Sequence, residues 1–165
     1  MVGAQGRAKD LLGGVDKRLA ELQPKVDAKW PRGLRVSYVR MSSTDGGATT
    51  LNTSNPEFTG SAGRTLRQVR GLTVTGDNPT PTGVTLSPER MREIDADVIL
   101  YFAGGGGQHA RANEFLAAAT SNPLWQSLEA VKAGRAHRVD TFVWFDGSGT
   151  TAANLAVDDM LKYLT

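Results

Sequence analysis

The chain has 165 residues, 39% of them apolar and 22% charged, which suits one globular domain and excludes a disordered chain. Its 19 basic and 17 acidic residues leave a net +2, too even for a dedicated nucleic-acid binder, and no apolar run reaches the roughly 20 residues of a membrane helix. Cysteine is absent and the histidines are His109 and His137 alone, so disulfides, thiolate metal sites and a histidine-rich metal centre are excluded.

The opening stretch, Met1 to Asp10, lacks the apolar core of a signal peptide. The expectation is therefore a cytoplasmic protein or a piece of a longer chain. Leu11, Leu12, Val15, Leu19, Leu22 and Val26 recur at helical spacing and predict one helix through residue 29. Gly13 and Gly14 weaken it, and Pro24 kinks or frames its last turn. Eight basic and four acidic residues lie scattered over residues 1–35, the pattern of a solvated helix face.

Leu34 to Met41 predicts a strand, with Leu34, Val36, Tyr38 and Arg40 on one face and Val39 and Met41 on the other. A loop from Ser42 to Asn55 follows, with a short strand at Thr49 to Leu51. Asn55-Pro56-Glu57 opens a helix running to about Arg70. Leu72 to Val74 reads as a strand and Gly76 to Gly83 as a loop. Ser87-Pro88-Glu89 starts a helix through Met91 and Ile94. Val98 to Phe102 is a short apolar run, the signature of a buried parallel strand. Beyond Gly104 to Gly107 come a helix carrying Ala112, Phe115, Leu116 and Ala119, a shorter one from Pro123, and a strand over Ala136 to Val139. Val157, Met160, Leu161 and Leu164 mark the final helix. Strands alternating with helices indicate an α/β fold with a mostly parallel sheet.

In open α/β sheets ligands sit outside the carboxyl ends of the strands. That rule selects Arg40, then Tyr101 and Phe102, then Phe142, Trp144 and Phe145. An arginine among aromatic rings suits a flat or anionic ligand, supplying a permanent charge beside stacking area. A surface salt bridge for Arg40 and core packing for Tyr101 and Phe102 are the plain alternatives. Trp144 is assigned to the cleft because glycines follow it in a polar loop.

Gly104 to Gly107, between a strand and a helix, invites a phosphate-loop reading. Counted from Gly104 the dinucleotide fingerprint fails, because His109 occupies its third glycine position. Counted from Gly105 the looser form is met by Gly107 and Ala110, but the acidic ribose partner is missing. A flexible turn is the preferred account. Ser61 and Ser148 complete no nucleophile elbow, since Thr59 and Asp146 stand where the first glycine belongs. Asp158-Asp159 reads as a solvated helix face, and no acid–base constellation emerges. The chain is read as non-enzymatic.

Several motifs occur in a fixed order: Leu86-Ser87-Pro88-Glu89, Asp95-Ala96-Asp97-Val98-Ile99, Asn122-Pro123-Leu124-Trp125, Ala130-Val131-Lys132-Ala133-Gly134-Arg135 and Trp144-Phe145. Together with the Asn55-Pro56-Glu57-Phe58 helix start, they resemble the C-terminal lobe of the solute-binding proteins that serve ATP-driven importers of ferric siderophores, haem and cobalamin. The resemblance implies two α/β lobes joined by a long helix, with the ligand held between them. Residues 1–30 then form the interlobe bridging helix. Residues 31–165 form a single three-layer lobe with a mostly parallel central sheet flanked by helices. The N-terminal lobe and the export signal are missing from this chain.

The resemblance also implies roles. Arg40 meets an anionic chelate, and the aromatic loop of Trp144 and Phe145 lines the cleft; Tyr101 and Phe102 join the ligand-binding set from the strand-end rule alone. Glu89 docks on the permease of an ABC transporter, although a carboxylate in a helix's first turn is also favoured by the macrodipole. No resident cofactor or metal is implied: iron arrives only inside the bound chelate, with tyrosine ligation by Tyr101 left open for haem. The partners are a ferric siderophore or related chelate, the permease and the missing lobe. Nucleic acid is not among them, and membrane contact comes only through the permease or a lost lipid anchor. The location implied is periplasmic or extracellular and membrane-associated, in a bacterium. The competing reading is a nucleotide- or phosphate-binding module, or an enzyme fragment, using the Gly104 to Gly107 turn. A lobe that only contacts a protein partner is the third.

Overall fold

The computed structural model describes residues 2–43, 49–53, 60–75, 84–104 and 112–165. In chain order the elements are α1 (Val2–Lys29), β1 (Leu34–Ser43), β2 (Thr49–Thr53), α2 (Gly60–Leu66), β3 (Leu72–Thr75), β4 (Val84–Leu86), a 3-10 helix (Pro88–Ile94), β5 (Val98–Ala103), α3 (Ala112–Ser121), α4 (Pro123–Gln126), α5 (Glu129–Lys132), β6 (Ala136–Arg138), a π-helical turn (Phe142–Asp146) and α6 (Gly149–Tyr163). The helix start at Asn55 to Glu57, the loop at Gly76 to Gly83 and glycines 105–107 lie outside the described residues.

β1 is the spine of the sheet. Along one edge it pairs in parallel with β5, which pairs in parallel with β6. Along the other edge its first half pairs in parallel with β3, while its second half pairs antiparallel with β2. β4 adds to β2 as a further antiparallel strand. Four strands, β3-β1-β5-β6, therefore run parallel, and the mixed extension leaves from the C-terminal half of β1.

Alternation along the strands builds two cores. Val36, Tyr38, Val98, Leu100 and Phe102 pack under Leu22 and Val26 of α1, Ala62 and Leu66 of α2, and Ala156 and Met160 of α6. On the other face Val39, Met41, Ile99 and Ala103 pack against Ile94, Leu116, Trp125 and Leu128. The expected three-layer α/β arrangement is present.

α1 runs unbroken through Gly13-Gly14 and Pro24. Both glycines and Pro24 are exposed, so the helix is held instead by what its other side buries, as packing outweighs propensity. Val15 and Leu19 meet Ala153, Val157 and Leu161 of α6. Arg18 donates to the Asn154 carbonyl at 2.9 Å and pairs with Asp158. Gln23, buried, clasps the backbone of Arg70: its amide donates to the carbonyl at 3.0 Å and its oxygen accepts the N–H at 2.8 Å. Asp158 and Asp159 are thus not a merely solvated pair. Asp158 holds α1, and Asp159 accepts the Trp144 indole N–H at 2.7 Å.

The motifs that carry the resemblance prove to be fasteners. Asp95 accepts the N–H groups of Glu129 and Ala130 at 2.8 and 3.1 Å, capping α5 from a distance. Asp97 accepts the Arg35 N–H at 2.8 Å, and Arg135 donates to the Asp97 carbonyl at 2.7 Å. Asn122 caps α4 by accepting from the Leu124 N–H at 2.8 Å.

Candidate functional site

The carboxyl ends of β1, β5 and β6 lie side by side, and there the selected residues can be compared. Arg40 stands opposite Phe102 in the parallel register and shares a sheet face with Tyr38. A chain of rings runs along this face: Tyr38 to Phe102 at 5.0 Å between centroids, Phe102 to Phe145 at 5.7 Å, and Tyr38 to Trp144 at 5.8 Å. The Arg40 guanidinium carbon lies 5.0 Å from the centre of the Phe145 ring, within cation–π range. Its Nε is buried with no hydrogen-bond partner. A buried, unpaired donor on a charged group is costly, which sets this atom apart.

The π-helical turn after β6 decides which aromatic reaches the rim. Asp140 starts it by accepting the Val143 N–H on its carboxylate at 3.0 Å and the Trp144 N–H on its carbonyl at 2.9 Å. Gly147 closes it, because a Cβ there would stand 2.5 Å from the Phe142 carbonyl oxygen. Gly60, with φ +44°, lets the start of α2 press against the same turn, where a Cβ would stand 2.5 Å from the Gly147 oxygen. Trp144 consequently points inward. It is fully buried, its indole bound to Asp159 and its carbonyl accepting from the Tyr38 hydroxyl.

Of the residues assigned to the cleft wall, Arg40 and Phe145 meet at the rim, both partly exposed. Trp144 and Phe102, each at 0% exposure, offer no ring surface to a ligand and instead back the rim from below. This corrects the cleft assignment of Trp144: the glycine after its turn serves close approach, not openness. Tyr101 projects from the opposite sheet face, half-buried, edge-on to Trp125 with centroids 5.1 Å apart. Burial raises its phenol pKa, and nearby Arg138 partly offsets that. Glu89 is exposed in the first turn of the 3-10 helix. Its carboxyl is held below the usual range by the Ser87 hydroxyl and its own backbone N–H. Gly104 donates to the Met41 carbonyl; the rest of the glycine run and His109 lie outside the described residues.

A hollow of about 470 Å³ opens at the ends of β5 and β6, lined by Ala103, Asn113, Arg138, Val139, Asp140, Thr141 and Phe142. Arg138 donates to the Asn113 side-chain oxygen at 2.7 Å, and the Thr141 hydroxyl donates to the Ala103 carbonyl at 3.2 Å. Phe142 is 67% exposed, the aromatic of this segment that faces water. Arg138 meets the same strand-end rule that selected Arg40. Among the described residues no group of three or more acidic or histidine side chains could hold a metal ion, and no helix is long and apolar enough to cross a membrane.

No family model matches the chain. Over 165 residues it is 32% identical to the probable siderophore-binding lipoprotein YfiY of Bacillus subtilis, covering 98% of this chain and 49% of that protein. The chain thus spans about half the length of this curated relative. Staphylococcus aureus SirA complexed with staphyloferrin B superposes with a TM-score of 0.74 at 22% identity, over 98% of this chain and 56% of that one. A periplasmic binding protein of the FhuD fold family, from Bacillus subtilis, superposes with a TM-score of 0.72 at 18% identity, over 99% and 58%. These relatives are named for binding and uptake, not for catalysis, as the non-enzymatic reading has it. By sequence along nearly its whole length, and by fold, the chain is similar to about half of a siderophore-binding protein of the FhuD fold family.

Proposed function

We propose that the chain is the C-terminal lobe of a solute-binding protein of an ABC importer, and that it supplies one wall of the cleft for a ferric siderophore. The observation that carries this reading is the buried, unpartnered Nε of Arg40 beside Phe145, at the carboxyl ends of the parallel strands. An anionic chelate supplies the missing acceptor, and its rings or apolar arms lie against Phe145. The iron comes and goes inside the chelate, with no resident cofactor.

In this reading α1 is the helix that leads to the other lobe, and Glu89 is the carboxylate this lobe presents to basic groups of the permease. The protein works outside the cytoplasmic membrane, held near it, as the lipoprotein relative's name supports.

The test is a titration with a ferric siderophore followed by tryptophan fluorescence. Replacing Arg40 by Gln removes the charge and the orphaned donor. It is expected to weaken binding by about tenfold or more, the worth of one hydrogen bond to a charged group. An unchanged affinity in a variant that melts like the wild type overturns the proposal.

A further inference from the structure

We propose that Arg138 is a second anion-binding residue of this wall, so that the site selects iron chelates with two or more separated anionic groups, carboxylates foremost, over neutral ones. The inference rests on the solute-binding reading above and narrows it to a ligand class.

The argument is geometric. β6 lies two strands from β1, with β5 between them, so Arg40 and Arg138 start about 10 Å apart at the usual strand spacing. Arg40 is opposite Phe102 and Arg138 is opposite Tyr101. Neighbouring residues of a strand point to opposite faces, so near the carboxyl end of the sheet Arg40 stands on one face and Arg138 on the other. A ligand seated across that end meets one cation on each side.

Arg138 is also chemically free for this role. Its side chain donates to the neutral side chain of Asn113, and among the described residues no carboxylate pairs with it. Asp140, on the same wall of the hollow, has its carboxylate engaged by the Val143 N–H. The exposed Phe142 ring borders the hollow and offers apolar surface next to the cation. A polyanionic chelate pairs both guanidinium groups. A neutral chelate desolvates them without compensation, and that penalty is what discriminates.

Equilibrium dialysis with two radioiron-labelled probes tests the inference: ferric citrate, which is anionic and carboxylate-rich, and tris(acetohydroxamato)iron(III), which is neutral. The wild-type chain is expected to retain ferric citrate better. Arg138→Gln should weaken ferric citrate by about tenfold, one charge-assisted bond, and leave the neutral chelate unchanged. Arg138→Lys, which keeps the charge but loses the planar fork, should recover part of the loss and covers the case in which the glutamine variant folds poorly. Equal weakening of both probes by Arg138→Gln, or of neither, overturns the inference. If neither Arg138 variant differs from wild type while Arg40→Gln weakens binding, this inference falls and the solute-binding reading stands. If the wild type retains neither probe, that reading falls and takes the inference with it.

Discussion

Arg40, toward the end of one strand, and Trp144, just after another, are selected by the same rule, and they end in opposite environments. Arg40 keeps its strand-face position because the register of β1 against β5 fixes it. Trp144 sits in a turn with π-helical spacing, which no hydrophobic periodicity encodes, and the extra residue per turn rotates its ring into the core. His137 is a further case of a residue set by its neighbours. Its ring stacks on Tyr163 at 4.3 Å, and burial, then Lys29 and Lys162, lower its pKa below the ordinary 6.5. A lowered imidazole pKa means that the unfolded chain takes up its proton first as pH falls. The stabilisation is therefore fully present above 6.5 and is lost as pH drops through the lowered folded value. Thermal unfolding should show wild-type stability declining over that window, with a flatter profile for His137→Gln. Identical profiles for the two proteins would contradict the assignment.

Among the elements, the readable ones are those with enough residues to show a period. α1, β1, β5 and α6 were all legible, since each buries a long stripe. β4, with three residues, was not, because its pairing with β2 defines it, and the 3-10 form of the helix at Ser87 was not, because so short a segment shows no period. The four-residue α5 exists because Asp95 reaches across to cap it: its own cap position is Leu128, which has no side-chain acceptor. Asp95→Ala is accordingly expected to cost about 1 kcal/mol, the usual worth of a capping side chain, measured by denaturant unfolding. Asp95→Asn should lose less, because one oxygen acceptor remains.

Across the whole molecule the sheet separates two charged ends. Basic residues that are scattered along the N-terminal stretch, Lys29, Arg32 and Arg35, gather at the amino ends of the strands around a hollow of about 480 Å³ with Trp30, Thr73 and Asp97. Arg135 stands 6.0 Å from the Trp30 ring there. Arg40 and Arg138 occupy the carboxyl ends instead. The exposed side chain of Glu89 belongs to neither core. Under the proposed solute-binding reading, Glu89→Lys in the two-lobed protein should reduce uptake by about tenfold or more through lost charge pairing, with chelate affinity unchanged. A loss of affinity measured in the same variant would place Glu89 in the cleft or the fold instead.

The amino-acid sequence by itself determined the α/β layering, because helical and strand periods are local and each buried stripe announces its own face. It also made Arg40 a candidate, since a charged residue on the apolar face of a strand stands out against the alternation. The tertiary structure alone decided that Trp144 and Phe102 are buried, that Phe145 lies beside Arg40, and that Phe142 borders a hollow with Arg138. Those outcomes depend on turn geometry and on register between strands far apart in the chain, which arise only when the layers close on one another.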